Sequence, residues 1–374
     1  MLPNALYVHI PFCARKCIYC DFNSIVSESK TIDRYLQALE KELNSLRDQY
    51  VFKTVYIGGG TPTVLAETQL EKLLCSVIRS IPTPEIIEYT VEANPGTLTV
   101  NKVGLLKKYL VNRVSLGVQS FQDRELKFLG RIHSSNDARN ALTLLRMAGF
   151  ENINVDLIFG CPEQPLDDWN KDLKAVVELN PEHISTYALT YEEGTSITKD
   201  LNNEFIHKLD ECVELEMYKT AINYLTHNSY NHYEISNFAK AGYECLHNHV
   251  YWKNTGYVGV GAGAYSFING VRTSNEKNVF EYIDRINKNN NVKSFSECLC
   301  QDQFASETVI MSLRLRQGIS NIDFYKRFGR EIEDQFGYQI KRLIKNGLIS
   351  YEGEKLKLTE KGLYIADTVL AEFV

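Results

Sequence analysis

Short β-type runs alternate with amphipathic helical stretches through the first half of the chain, and this alternation limits the fold more than any other feature of the sequence. The β-type runs are Leu6 to Ile10, Thr54 to Ile57, Ile87 to Glu92, Arg113 to Val118, Asn152 to Ile158 and His183 to Ala188. Helical periodicity falls between them, at Ile32 to Leu46, Glu67 to Ile81, Thr99 to Tyr109, Ser134 to Met147 and Asp167 to Leu179. Strands joined through helices run parallel, because a tight hairpin cannot return them to the same direction. Residues 1–200 are therefore expected to form an α/β domain, a partial (β/α)6 barrel whose functional loops sit at the strand C-terminal ends.

Beyond about residue 200 the alternation stops. A helix over Asp210 to Leu225 leads into a Gly- and aromatic-rich segment, Tyr230 to Gly270, so residues 201–300 read as a distinct elaboration. Residues 301–374 read as helix, helix, helix and then LISYEGEKLKLTEKG, a pattern that resembles a winged-helix α+β domain. Its Lys and Arg residues are interleaved with Glu and Asp, and the whole chain carries a net charge of -6, so a packing role is expected and nucleic acid is not. The first ten residues, MLPNALYVHI, carry no basic leader, and no apolar run reaches about 18 residues. A soluble, cytoplasmic protein is expected.

Three of the nine cysteines fall within eight residues, directly after the first strand: His9-Ile-Pro-Phe-Cys13-Ala-Arg-Lys-Cys17-Ile-Tyr-Cys20. In a reducing compartment that clustering points to metal rather than disulfides. Thiolates at C-x3-C-x2-C can wrap three corners of a 4Fe-4S cubane and leave one iron open, and Arg15 and Lys16 favour the thiolate form. Structural zinc is the competing reading, but it takes four ligands and no fourth Cys or His stands at the usual spacing; His9 falls within the strand. Cys75, Cys161, Cys212, Cys245, Cys298 and Cys300 read as core or surface thiols.

Gly58-Gly59-Gly60-Thr61-Pro62 follows the second strand, where glycines let a backbone approach a ligand, and no Lys-Ser or Lys-Thr follows to make a phosphate loop. Glu92, Gln119, Arg131 and Asp156 recur at or near later strand ends, a carboxylate, amide and guanidinium set suited to an amino acid and a ribose. Gly259-Val-Gly261-Ala-Gly263-Ala lacks the βαβ context of a dinucleotide site and reads as a turn packed near the barrel mouth. His247-Asn-His249-Val-Tyr251-Trp252 admits two readings: a packed aromatic cluster, or an imidazole with aromatics for a porphyrin in a Gly-rich loop.

HIPFCARKCIYCDF, YIGGGTPT, VEANPGT, RVSLGVQSF, LGRIHS, NVDLIFGCPEQ, HISTYALTYEEGT, YEISNFA, HNHVYW and GVGAGAYS together resemble the radical S-adenosylmethionine (SAM) superfamily and, within it, the HemW haem chaperones, relatives of the oxygen-independent coproporphyrinogen III dehydrogenase HemN. The resemblance implies a 4Fe-4S cluster on Cys13, Cys17 and Cys20, with S-adenosylmethionine chelated to the open iron and cleaved on one-electron reduction to a 5′-deoxyadenosyl radical. It implies S-adenosylmethionine contacts at Tyr7, Tyr19, Gly59, Gly60, Thr61, Glu92, Gln119, Arg131 and Asp156. It associates haem with HNxxYW, here with His247, Tyr251 and Trp252, His247 being the first choice of iron ligand and His249 its rival.

The partners so implied are haem, an acceptor haemoprotein of the respiratory chain, reached at the inner face of the membrane, and an electron donor such as flavodoxin or ferredoxin. Homodimerisation is left open. The alternative is the dehydrogenase itself, performing radical decarboxylation of coproporphyrinogen III. The dehydrogenase carries a further cysteine where this chain has Phe22, and an N-terminal extension that this chain lacks; both differences favour the chaperone. Cys161 stands where the family motif reads Gly-Leu-Pro, a change expected to touch only loop packing.

Overall fold

A computed structural model describes residues 3–374. The six β/α units are present: β1 (Ala5–Ile10), α1 (Ser29–Ser45), β2 (Thr54–Gly59), α2 (Glu67–Ser80), β3 (Glu88–Ala93), α3 (Val100–Lys108), β4 (Arg113–Gln119), α4 (Asp123–Phe128), α5 (Ser135–Met147), β5 (Ile153–Phe159), α6 (Leu166–Leu179) and β6 (His183–Ala188). β1 to β6 pair in parallel in sequence order. Each helix covers the outer face with an apolar stripe; in α1 it is Ile32, Tyr35, Leu36, Leu39 and Leu43, recurring at three and four residues. Burying each such side chain is worth about 1.5–3 kcal/mol. The inward face is polar by contrast, with Thr54, Glu88, Thr90, Arg113, Ser115, Asn154, His183 and Ser185 all buried.

After α7 (Ser196–Asn202) and α8 (Glu211–His227), β7 (Asn231–Glu234) and β8 (Asn237–Ala239) add antiparallel strands beside β6. α9 (Leu246–Trp252) precedes β9 (Tyr257–Val260), which returns to pair in parallel with β1, and β10 (Tyr265–Ile268), β11 (Val271–Asn275), α10 (Val279–Asn287) and β12 (Lys293–Cys298) extend that edge. The Gly-rich segment thus supplies strands to both edges of one twelve-stranded sheet, in the order β12-β11-β10-β9-β1-β2-β3-β4-β5-β6-β8-β7. Its turn Gly261–Ala264 is tied to α1, with the Gly261 N–H donating to Glu42 at 2.8 Å and the Ala262 N–H to the Tyr35 hydroxyl at 3.0 Å.

The C-terminal domain comprises α11 (Gln301–Leu313), β13 (Ile319–Ser320), α12 (Asn321–Phe328), α13 (Ile332–Lys345), β14 (Ile349–Glu352), β15 (Lys355–Leu358), α14 (Glu360–Leu363) and α15 (Ala366–Ala371), with a three-stranded wing ordered β13-β15-β14. It has its own core around Val309, Leu313, Phe324, Phe336 and Leu356, and Tyr218 and Ile222 of α8 pack against both cores. Among the described residues no helix is long and apolar enough to cross a membrane.

Candidate cofactor site

The cysteine loop leaves β1 and closes on itself: Phe12 bridges Ile25, the Cys13 N–H donates to the Ile25 carbonyl at 3.0 Å, and the Ile25 N–H to the Pro11 carbonyl at 2.8 Å. Further ties hold it to its surroundings. The Ile197 N–H donates to the Ile18 carbonyl at 3.0 Å, and the Asn23 amide donates to the Ala262 and Lys277 carbonyls at 3.0 and 2.9 Å. His9 spends one ring nitrogen on the Asn23 carbonyl at 2.8 Å and the other on the Tyr7 hydroxyl at 3.0 Å, so it anchors the loop from below. The Cys17 sulfur accepts from Arg131 Nη1 at 3.5 Å, and Cys13 lies 3.7 Å from the Thr61 hydroxyl.

Burial pushes the Cys13 and Cys20 thiols up from their ordinary value. Partly buried thiols of this kind ionise when a soft cation takes their protons' place. Among the described residues no three His, Cys, Asp or Glu side chains converge on a single metal-ion position. A cubane asks for something different, one thiolate at each corner, and a three-cysteine loop with a guanidinium alongside fits that demand.

The loop opens onto a cavity of about 400 Å³ at the strand C-terminal ends, lined by Cys13, Cys17, Tyr19, Cys20, Gly59, Gly60, Thr61, Glu92, Gln119, Arg131 and Asp156. The β2 glycines are required by space. A Cβ on Gly58 would run into the Glu92 carboxylate, and one on Gly60 would lie 2.6 Å from the Phe12 carbonyl; Gly59 has φ +107°, where a side chain is strained in any surroundings. The Gly59 N–H and the Tyr56 hydroxyl donate to Glu92 at 3.0 and 2.9 Å. Burial outweighs those bonds, and with Asp156 nearby the Glu92 carboxyl is pushed up to about 7.

Asp156 accepts from Asn154 at 2.7 Å and Ser115 at 3.2 Å; burial again raises its carboxyl. Gln119 has φ +74° beside an irregularity in the β4–β5 register. Arg131 Nη2 donates to the Gly117 carbonyl at 2.6 Å while its buried Nε has no partner. Burial also raises the Tyr19 phenol.

Of the residues expected here, Tyr7 alone is absent from the cavity wall; it lies deeper, its ring 6.2 Å from that of Tyr56. Sequence reasoning missed Tyr56, Asn94, Ser115, Tyr187 and Glu192, which also line the cavity. Tyr56, Ser115 and Tyr187 share the inward phase of their strands, so extending the period of two back from Gly58, Gly117 and Leu189 would have found them.

The HNHVYW segment is elsewhere, and it is a helix, α9, where a Gly-rich loop was expected. The Glu88 carboxylate accepts the Leu246 and His247 N–H groups at 2.8 and 2.9 Å and draws the helix start into the N-terminal end of the barrel. His247, only 1% exposed, has one ring nitrogen on the Thr54 hydroxyl at 2.9 Å and the other on the Tyr251 hydroxyl at 3.0 Å. Desolvation lowers it to about 3. Iron could reach this imidazole only if α9 left the barrel. Trp252 packs under Arg314 of the C-terminal domain, 4.7 Å from ring centre to guanidinium. His249, its side chain 14% exposed, bonds Glu244 through Nε2 at 2.7 Å, and its buried Nδ1 has no partner.

An open parallel barrel with a three-cysteine loop after its first strand defines a radical SAM protein, and the Radical SAM superfamily matches residues 7–176. The HemN C-terminal domain matches residues 299–365. "Heme chaperone HemW" of Bacillus subtilis (strain 168) is 38% identical over 99% of this chain and 99% of its own length; that of Escherichia coli (strain K12) is 33% identical over 100% and 98%. Escherichia coli coproporphyrinogen III oxidase (HemN), described as a radical SAM enzyme, superposes with a TM-score of 0.86 at 25% identity, covering 100% of this chain and 90% of that one. The chain belongs to the HemW family of the radical SAM superfamily.

Proposed function

We propose that the chain is a haem chaperone that binds one haem together with a 4Fe-4S cluster and S-adenosylmethionine, and passes haem to an acceptor haemoprotein. The observation that carries the cofactor part is the convergence of three thiols, Arg131, Glu92 and Asp156 on one cavity at the barrel mouth. When bound, the open iron of the cluster supplies one-electron reduction at a coordination site for an amino acid's amine and carboxylate. The chain supplies the rest. Glu92 and Asp156 offer acceptors for N–H and hydroxyl donors, the edge of β2 offers backbone groups where side chains cannot fit, and Arg131 sets positive charge beside the Cys17 sulfur.

The haem part rests on α9 and on the names of the relatives. His249 is the candidate iron ligand once Glu244 releases its Nε2, because its side chain is 14% exposed whereas His247 is enclosed with both nitrogens engaged, and Leu246, 40% exposed, offers apolar surface one turn away from His249. Phe22, where the resemblance places a cysteine in the dehydrogenase, is 60% exposed at the cavity and brings no thiol. The acceptor is a haemoprotein of the respiratory chain met at the membrane surface, and flavodoxin or ferredoxin supplies the electron.

Anaerobic haem titration of the cluster-loaded protein, alongside an assay of coproporphyrinogen III decarboxylation, tests the reading. Haem binding lost in His249→Ala and kept in His247→Ala, without decarboxylation, is the expected result. Turnover of coproporphyrinogen III with haem binding indifferent to both histidines would make the chain a dehydrogenase.

A further inference from the structure

Where α9 meets the C-terminal domain, four side-chain nitrogens are buried without a partner: His249 Nδ1, Trp252 Nε1, Arg314 Nε and Arg316 Nη1. Contacts tie their owners into one patch. The Arg314 guanidinium lies 4.7 Å over the Trp252 ring, the His249 and Tyr233 rings are 5.5 Å apart, and the Arg316 N–H donates to the Tyr233 carbonyl at 2.9 Å. The indole and guanidinium nitrogens can only donate, and the imidazole nitrogen donates in one tautomer. A buried donor left without an acceptor is costly, so several together mark a place for an acceptor from outside the chain.

Holding the two domains together does not account for these arginines. Backbone bonds already seat their segment: the Ile235 N–H donates to the Arg314 carbonyl at 3.2 Å, the Arg316 N–H donates to Tyr233, and Leu315 bridges Glu234. Nor is their charge matched. Among the described residues neither guanidinium makes an ion pair, although Arg272, Arg285 and Arg330 all do. Glu234 is taken up by the Asn237 amide and the Ser236 N–H, and burial raises its carboxyl against those bonds and the charge of Arg314. Glu244 is engaged by His249. Two half-buried positive charges without a counterion, in a chain of net charge -6, call for an anion.

A carboxylate suits such a set, because a guanidinium offers it paired N–H groups and an indole adds one more. Haem brings two carboxylates, as propionates on one rim of a ring whose iron takes an imidazole at the centre. Resting on the reading that His249 of α9 receives the iron, we propose that Arg314 and Arg316 take the haem propionates. The haem site is then shared between the barrel and the C-terminal domain, and it selects a porphyrin by its acidic rim. His249 and Trp252 stand three residues apart on one helix, hence on one face, and the arginine segment packs against that face. A porphyrin without acidic side chains finds the iron ligand but leaves both guanidiniums unpaired.

Anaerobic titration of the full-length, cluster-loaded protein with haem and with haem dimethyl ester, whose propionates carry no charge, tests this. The wild type should bind haem about tenfold or more tightly than the ester, the scale of a charge-assisted hydrogen bond. The double variant Arg314→Gln, Arg316→Gln should lose that preference while its affinity for the ester, its Soret band and its circular dichroism spectrum stay as in the wild type, and Arg316→Lys should keep part of it. A wild type that binds haem and ester equally, or a folded double variant that still prefers haem, would overturn the proposal and leave the chaperone reading standing. A wild type that binds neither would overturn both. Glutarate, a dicarboxylate without a ring, should compete only at millimolar concentration; arginine-dependent glutarate binding as tight as that of haem would overturn the assignment to propionates.

Discussion

Glu92 sits with its carboxyl pushed up to about 7 by burial and by Asp156, so its charge changes within the working range of a cell. Between its ordinary value and about 7 the native protein holds a proton on Glu92 that the unfolded chain has released, so this group's contribution to stability falls as pH rises through that window. Binding runs the other way. An N–H donor of a bound amino acid needs the ionised carboxylate, so S-adenosylmethionine affinity of the cluster-loaded protein should rise with pH up to about 7 and then level off. Calorimetry at several pH values reads this, and Glu92→Gln should bind about tenfold or more weakly with no such step, the scale of a hydrogen bond to a charged group. Gly59→Ala should be costly for another reason: at φ +107° its methyl would strike the His9 ring that anchors the cysteine loop. A loss of about 1–3 kcal/mol in urea unfolding, with poorer cluster retention, is the expected outcome.

α9 is held by Glu88, whose carboxylate accepts two backbone N–H groups inside the protein. Glu88→Gln should therefore cost about 1–3 kcal/mol and lower the melting temperature, while Glu88→Ala should cost more; an unchanged melting temperature in both would mean that packing alone seats the helix. The sequence did not announce this element. Asn, His, Val, Tyr and Trp are poor intrinsic helix formers, and the helix exists because the barrel floor supplies partners for its N-terminus and for His247. β9 to β12 were hidden for a similar reason: their order comes from pairing with β1 and with one another across long sequence distances, which short-range alternation does not record. The parallel units were legible because one face of every helix and the outer face of every strand are apolar. The cavity was legible through its glycines and strand-end polar residues, and Tyr56 and Tyr187 were not, since a lone tyrosine in a strand looks like core.

The two hydrophobic cores are not independent. Tyr218 and Ile222 belong to both, Arg314 covers Trp252, and Arg327 donates to the Lys253 carbonyl at 3.0 Å. The apo protein should therefore unfold in one cooperative calorimetric transition, its van't Hoff and calorimetric enthalpies agreeing; two separated transitions would show that the C-terminal domain melts alone. α9 closes the N-terminal end of the barrel, and that closure governs traffic. Among the described residues the cavity has its mouth at the strand C-terminal ends, with the cysteine loop at the sill and α9 packed across the opposite end. Whatever lies deepest must enter first and depart last, and any large flat molecule resting across the threshold locks in everything beneath it.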